Sequence, residues 1–156
     1  MSESASITVV MPAFNAASYL ERSLPPLIAM RARGEVSDVI VVDDCSTQAS
    51  NIETAERLGA TVIRMPRNGG PGAARNFACQ RITSEIVWFV DADVIAHESG
   101  PATIRKAMSD DTVVAVFGSY DDKPPGANFA SQYKNLIHRY YHQRGKTEAS
   151  TFWAGC

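Results

Sequence analysis

Cysteine is scarce in this sequence, and long hydrophobic runs and a strong net charge are missing altogether. The chain has 156 residues and three widely spaced cysteines, Cys45, Cys79 and Cys156. This odd number and spacing match neither a zinc site nor a disulfide framework, so we expect reduced thiols. A formal net charge of −2 argues against the whole chain being a general nucleic-acid or membrane binder.

No apolar stretch approaches the length needed to cross a bilayer. The start, MSESASITVV, lacks the basic segment and apolar segment of a secretory signal. We therefore expect a cytoplasmic protein. Hydrophobic residues make up 45% and charged residues 21%, which predicts one soluble domain over residues 1–156. The ending TFWAGC resembles the opening of a new element, so we expect a truncated chain.

Strand-like and helix-like segments alternate along the chain. This alternation predicts an α/β fold, with a mostly parallel, Rossmann-like sheet and helices on both faces. The first strand should stop at Pro12, and the fourth is apolar enough to be buried on both faces. The five predicted strands are Ile7–Met11, Val39–Val42, Thr61–Met65, Glu85–Val90 and Thr112–Ser119.

The predicted helices have recognisable start and stop signals. Ser18–Met30 is helical in pattern, although Pro25 and Pro26 should kink or split it. A capping box of Ser50 and Glu53 opens a second helix, which Gly59 ends. A glycine-rich turn leads into a third helix, and Ser99 with Pro101 opens a fourth.

Parallel α/β sheets bind ligands beyond the carboxyl ends of their strands. The residues predicted there are four acids and a glycine-rich turn, a combination that suits a metal-bridged phosphate ligand. They are Pro12, Ala13 and Phe14, then Asp43 and Asp44, then Asn68–Gly72, and finally Asp91 and Asp93.

The segment Asp91-Ala92-Asp93 is the most specific of these signals. Carboxylates two residues apart in extended chain lie on the same side, so Asp91 and Asp93 can reach one hard cation. The alternative is a polar turn after a strand, with one aspartate capping the next helix. The position after a wholly apolar strand favours the metal site.

The other motifs have structural alternatives of similar weight. Asp43 or Asp44 can accept the N–H of a uracil or guanine, or can form an Asx-turn. The glycines up to Gly72 can approach a phosphate or simply allow tight turns. Arg75 can point at a phosphate or base, or be a solvated helix residue.

A basic, aromatic stretch occupies Phe129–Lys146. It has lysines, arginines and three tyrosines and no acid, a pattern typical of a solvated helix face or of one lying on anionic lipid. His138 and His142 have a spacing that can bind zinc, but no third ligand is evident, so an amphipathic helix is favoured.

Taken together, these motifs resemble the inverting, GT-A-fold glycosyltransferases of family 2. The resemblance covers nearly the whole chain and depends on the order of the motifs. They are TVVMPAFNAASYLERSL for the opening strand and helix, VIVVDDCST for Asp-Asp-x-Ser, NGGPGAARN for Asn-x-Gly with Ala-Arg-Asn, IVWFVDADV for the Asp-x-Asp strand, and TFWAGC for the segment bordering the acceptor.

The resemblance implies a donor site for a nucleoside-diphosphate sugar, with a UDP-sugar the first choice. Asp43 or Asp44 would lie on the polar edge of the base, and Arg75 near the base or phosphates. Asp91 would face the ribose or sugar, and Asp93 would hold Mn²⁺ or Mg²⁺. Pro12, Ala13 and Phe14 would line the base through backbone contacts.

The resemblance leaves the catalytic base unknown, because the family places it beyond the Gly-Cys segment. We therefore expect donor binding without useful sugar transfer from these 156 residues. It does not identify the acceptor, for which lipid-linked molecules and glycans are both candidates.

Three other classes of protein share some of these features. A haloacid-dehalogenase-type phosphatase also has Asp-x-Asp after an apolar strand, but that motif normally opens the fold. A receiver domain would have its acidic pair after the first strand, where Met11 and Pro12 stand. A catalytically inactive nucleotide-binding fragment is the third alternative.

Overall fold

The computed structural model describes residues 5–119 and 128–144. The chain groups into two compact units, Met1–Val116 and Phe117–Cys156. The first unit holds the sheet and the helices that pack on it. The second contains one described helix, Phe129–Arg144.

Four parallel strands form the described sheet, in the order β3-β2-β1-β4. This confirms the predicted α/β class with a parallel, Rossmann-like sheet. The strands are β1 Ile7–Ala13, β2 Asp38–Asp43, β3 Thr61–Arg64 and β4 Ile86–Phe89. The helices are α1 Ala17–Ala32, α2 Ser50–Arg57, α3 Gly70–Cys79, α4 Gly100–Ala107 and α5 Phe129–Arg144.

Each face of the sheet has its own apolar core, because alternate strand residues point to opposite faces. Val9 and Val41 pack with α1, α2 and α4 on one face. Val10 and Val42 pack with Ala74 of α3 on the other. Helices therefore cover both faces, as predicted.

β1 continues through Pro12, so the prediction that this proline stops the strand is wrong. Pro12 lies opposite Val42 in the register with β2. The carbonyls of Ile7 and Ala13 accept from the β2 side, whereas that of Val10 accepts from Val90 beyond β4. The backbone of Pro12 points to the β4 side, as that of Val10 does. Since β4 ends at Phe89, no strand lies opposite Pro12 on that side, and the N–H that proline lacks is not needed for the β1–β4 hydrogen bonds.

α1 also remains one helix across Pro25 and Pro26, rather than splitting. The two prolines cannot donate to the carbonyls of Glu21 and Arg22, but both of these residues are exposed, so water can satisfy them. The opposite face of the helix is fixed by a buried row of Leu20, Leu24, Leu27 and Met30.

The predicted fifth strand, Thr112–Ser119, is wrong: these described residues form no strand. Val114 is 89% exposed. A strand needs a hydrogen-bonded neighbour, and β4 is an outer strand of the described sheet. For the same reason Val87 to Phe89 are half-buried, not buried on both faces as predicted.

The predicted start and stop signals of α2 had different outcomes. α2 begins at Ser50 with Ala49 as its cap, so the predicted capping box is wrong. The turn starts earlier because the carbonyls of Gln48 and Ala49 already accept from Asn51 and Ile52. Gly59 (φ +93°) ends α2 as predicted.

Ser99 precedes α4 as its cap residue, with Pro101 inside the first turn, as predicted. Its hydroxyl hydrogen-bonds His97 Nδ1 (2.9 Å) rather than a backbone amide of the helix. Ser99 therefore occupies the cap position of α4, but its side chain makes no capping hydrogen bond. None of the described helices combines the length and apolar character needed to span a bilayer.

Gly100 provides a test of the packing beneath α4. A Cβ at Gly100 would lie 2.5 Å from Cη2 of Trp88, whose indole packs against the core. We expect Gly100→Ala to lower the free energy of unfolding by about 1–3 kcal/mol through overpacking. Gly72→Ala is the control, since its Cβ meets nothing within 4 Å. Urea unfolding of both variants measures the difference, and equal midpoints would contradict this packing.

Candidate nucleotide-sugar site

The carboxyl ends of the four strands meet at one edge of the sheet. Ala13 is in register with Asp43, and Asp43 with Arg64. The chain order reverses at β1, where β2 lies on one side and β4 on the other. This is the position at which open α/β sheets form a ligand crevice.

Asp43, at the end of β2, is fully buried and bonded inside the protein. One carboxylate oxygen accepts from Asn51 Nδ2 (2.7 Å) and the other from the Ser46 amide (3.2 Å). Arg64 Nε lies 3.6 Å away and partly balances its charge. With 0% exposure, Asp43 cannot touch a base in this conformation. Which of Asp43 and Asp44 lies on the polar edge of the base stays a prediction.

Asp44 caps the N-terminus of α3. Its two carboxylate oxygens accept from the amides of Gly69 (2.8 Å) and Gly70 (2.7 Å). Its own amide donates to the Ala13 carbonyl, and its carbonyl accepts from Asn68 Nδ2. The positive end of a helix favours this carboxylate. The glycine amides expected to face phosphate oxygens therefore bind Asp44 here.

The loop after β1 presents an aromatic ring at the crevice. Phe14 is 48% exposed, whereas Pro12 and Ala13 are buried. Asn15 follows in the left-handed region (φ 49°), where asparagine is tolerated. Its side-chain oxygen accepts from the amides of Thr47 (3.0 Å) and Gln48 (3.3 Å). The loops after β1 and β2 are thus joined.

Arg75 and Asp91 form an ion pair across the crevice edge. The guanidinium of Arg75, on α3, donates to Asp91 Oδ1 just beyond β4. The two side chains are 18% and 33% exposed. The Arg75 guanidinium carbon also lies 6.0 Å from the centre of the Phe89 ring, and its Nε is buried without a hydrogen-bond partner. Arg75 is therefore not the solvated helix residue of the alternative interpretation.

Asp93 is exposed and, within residues 5–119 and 128–144, makes no hydrogen bond or ion pair. Ala92 between the two aspartates is half-buried against the core. No group of three potential protein ligands occurs among the described residues. Two carboxylates fit Mg²⁺ or Mn²⁺ when substrate phosphates and water complete the shell. The residues present therefore fit a metal that arrives with its nucleotide.

Sequence reasoning missed several residues that build the crevice. Asn15, Ser46, Asn51 and Arg64 all bond to the strand-end loops. Asn15 had a usable signal, since asparagine is enriched among the non-glycine residues that adopt positive φ. Asn51 had none, because its partner Asp43 is eight residues away and meets it only in the folded chain. Gly72, a predicted site residue, is exposed in the first turn of α3.

The family model of Glycosyl transferase family 2 matches the sequence over residues 8–156. The chain belongs to that family. The match also confirms the resemblance stated from the motifs.

Relatives and solved structures agree with this assignment. The chain is 33% identical to the Pre-mycofactocin glycosyltransferase of Mycobacterium tuberculosis over 83% of its own length and 27% of the relative's. The mannosyltransferase PcManGT of Pyrobaculum calidifontis, solved with GDP-Man and Mn²⁺, has a TM-score of 0.64 at 28% identity, over 85% of this chain and 38% of that one. Staphylococcus aureus TarS bound to UDP has a TM-score of 0.53 at 30% identity, over 67% and 31%.

The family 2 chain described here spans about a quarter of the length of the first of these relatives. The family assignment and the strand order leave no support for the two rival folds. Asp91 and Asp93 follow the fourth strand, not the first, and the first strand is followed by Phe14 and Asn15. A haloacid-dehalogenase-type phosphatase would have its nucleophilic aspartate after the first strand, and a receiver domain would have its acidic pair there.

The Asp44 cap generates a prediction about stability. Asp44→Asn leaves one carbonyl oxygen for two amides, so one of the part-buried amides of Gly69 and Gly70 loses its charged acceptor. We expect a loss of about 1–3 kcal/mol in the free energy of unfolding. Asp93→Asn is the matched control and should change it by less than about 0.5 kcal/mol, since Asp93 has no bond to lose among the described residues. Denaturant unfolding that ranks the two variants equally would contradict the cap.

Proposed function

We propose that this chain binds the nucleoside diphosphate of a sugar donor, with UDP the first choice, across the carboxyl edge of the sheet. The observation that carries this is the contrast between the two aspartates after β4. Asp91 is held by Arg75, whereas Asp93 has no partner in the described part of the chain. An exposed carboxylate two residues from one that is paired with a guanidinium suits a metal-diphosphate group.

Several of the predicted site residues have roles that their surroundings support. Phe14 offers an exposed ring and backbone to the nucleobase. Asp44 is the member of the acidic pair with residual exposure, 3%, and each of its oxygens can accept a second hydrogen bond, so it serves the polar edge of the base. Arg75 orients Asp91 toward the ribose or sugar, and Asp93 faces the metal.

The reaction proposed for the intact enzyme is inverting transfer. An acceptor hydroxyl attacks the anomeric carbon, an O–C bond forms on one face, and the bond from that carbon to the diphosphate oxygen breaks on the other. The hydroxyl proton passes to a carboxylate base that none of the described contacts identifies. When bound, Mn²⁺ or Mg²⁺ supplies neutralisation of the charge that builds on the leaving diphosphate.

Three solved relatives support this proposal through their bound molecules. TarS has been crystallised with UDP and with UDP-GlcNAc, and PcManGT with GDP-Man and Mn²⁺. The glucosyl-3-phosphoglycerate synthase of Mycobacterium tuberculosis has been solved with Mn²⁺, UDP and its product, at a TM-score of 0.54. Uracil and guanine donors both occur among them, so the test includes GDP.

The Asp93 proposal is tested by calorimetry with UDP in Mn²⁺ and in EDTA. We expect Asp93→Asn to weaken UDP·Mn²⁺ binding by about tenfold or more, about 1.4 kcal/mol, because a charged metal ligand is lost. Glu56→Gln, which removes an exposed carboxylate on α2, is the control and should bind as wild type. Equal affinity with and without metal would contradict the metal site. Tighter binding of GDP than of UDP would contradict UDP as the first choice. No binding of either would favour an inactive fragment.

We also propose that α5 contacts an anionic membrane surface. Phe129, Tyr133, Leu136 and Tyr140 form one helical stripe and are 82%, 57%, 44% and 51% exposed. Lys134, Arg139 and Arg144 are the cations of the helix, which contains no acid. Arg144 lies over the Tyr140 ring at 4.9 Å. An apolar stripe with cations and no acid complements negatively charged headgroups. A lipid-linked acceptor would then lie near the enzyme.

Vesicle co-sedimentation tests the α5 proposal. Binding to phosphatidylglycerol vesicles should exceed binding to phosphatidylcholine vesicles and fall as salt is raised. Lys134→Gln should weaken it about fivefold, since a surface cation contributes about 1 kcal/mol. Phe129→Ser should also weaken it, whereas Val114→Ser, an equally exposed apolar residue outside α5, should not. Equal recovery on both lipids, or dimerisation that disappears with Phe129→Ser, would contradict membrane contact.

A further inference from the structure

Asn51 links the end of β2 to the loop after β1. It lies in the first turn of α2, and its side chain is fully buried. Its Nδ2 donates to Asp43 Oδ1 (2.7 Å), and its Oδ1 accepts from the Ala16 amide (2.8 Å). The nitrogen of the side-chain amide therefore donates one hydrogen bond, and its oxygen accepts another.

A second route runs from the same carboxylate to the same loop. Asp43 Oδ2 accepts from the Ser46 amide, and Ser46 Oγ accepts from the Asn15 amide (2.9 Å). One buried carboxylate thus fixes two consecutive amides, those of Asn15 and Ala16. These amides directly follow Phe14, the exposed ring at the crevice.

The chemistry of this position selects an amide side chain. Asp43 requires a donor and the Ala16 amide requires an acceptor. An asparagine carries the two on separate atoms, whereas the single oxygen of a serine or threonine hydroxyl would have to serve both partners. A buried group left without its partner is costly, so the arrangement is held tightly. Asn15 also has a positive φ, a backbone conformation that asparagine tolerates and that the bonds to Ser46 and Thr47 help to hold.

We propose that Asn51 is a positioning residue for nucleobase recognition, and that Asp43 acts through Asn51 and Ser46 instead of touching the base. This inference rests on the proposed donor binding. The bonds from Asn51 and Ser46 hold the Phe14 loop in the shape that receives the base. The diphosphate end of the site, at Arg75 and Asp93, does not depend on Asn51.

A reciprocal exchange tests this arrangement. Asn51→Asp faces Asp43 with a second acceptor and removes the donor. In the double variant D43N/N51D, the donor moves to position 43 and the acceptor for Ala16 remains at position 51. The side-chain carbonyl oxygen introduced at position 43 can still accept from the Ser46 amide. All three hydrogen bonds can therefore form, with the one between positions 43 and 51 reversed in direction.

Two measurements on the full chain distinguish positioning from general stability. Calorimetry with UDP·Mn²⁺ and with pyrophosphate·Mn²⁺ separates the nucleoside from the diphosphate. For Asn51→Asp we expect UDP affinity to fall at least tenfold and pyrophosphate affinity to stay within about twofold. The double variant should recover most of the loss. Amide hydrogen exchange by NMR should show Ala16 protected in wild type, faster in Asn51→Asp, and protected again in the double variant.

The possible outcomes each decide a separate question. If wild type binds no nucleotide, the proposed donor site fails, and Ala16 exchange alone decides whether Asn51 fixes the loop. Fast Ala16 exchange in wild type would overturn the inference even where nucleotide binds. So would a fall of equal size for UDP and pyrophosphate, or a folded double variant that recovers neither affinity nor protection. If Asn51→Asp does not fold, Asn51→Ser replaces it in both measurements, with the same expected selectivity.

Discussion

Two adjacent buried carboxylates at the end of β2 organise the loop after β1 and the start of α3. Asp43 bonds toward the loop after β1 through Asn51 and Ser46, and Asp44 bonds toward the start of α3. Successive side chains in extended chain point in opposite directions, so two neighbours can serve two different loops. β2 lies between β1 and β3, which gives both carboxylates reach to either side. Because each carboxylate is hydrogen-bonded internally, much of the cost of burying it is offset.

The sequence predicted the sheet, its parallel sense and the edge at which the strand-end acids gather, because those follow from local signals. Apolar runs, glycines and strand-end acids each depend on residues close together in the chain. What could not be predicted was how the acids divide their roles. Asp43, Asp44, Asp91 and Asp93 look alike in the sequence, and only tertiary partners such as Asn51 and Arg75 separate the bonded ones from Asp93.

The errors of prediction have a shared cause. Pro12, the prolines of α1, and Thr112–Ser119 were all judged by local propensity, whereas the outcome depended on the neighbours. Pro12 is tolerated because β4 has already ended beside it, and the apolar run after α4 forms no strand because no described strand pairs with it. Local propensity determines which secondary structure a segment prefers, whereas its hydrogen-bonding neighbours determine which structure it adopts.

The pairing of β1 with β4 has a consequence for how the chain is made. Ser6 bonds Glu85 across a separation of 79 residues, and Ile7 is in register with Ile86. During synthesis β1 can pair with β2 early, but its other edge stays open until β4 has left the ribosome. Closing so long a loop is slow relative to local pairing, and an open, apolar strand edge is a template for wrong partners. Among the described strands β4 is therefore the last to pair, and until it does so the open edge of β1 exposes the nascent chain to aggregation.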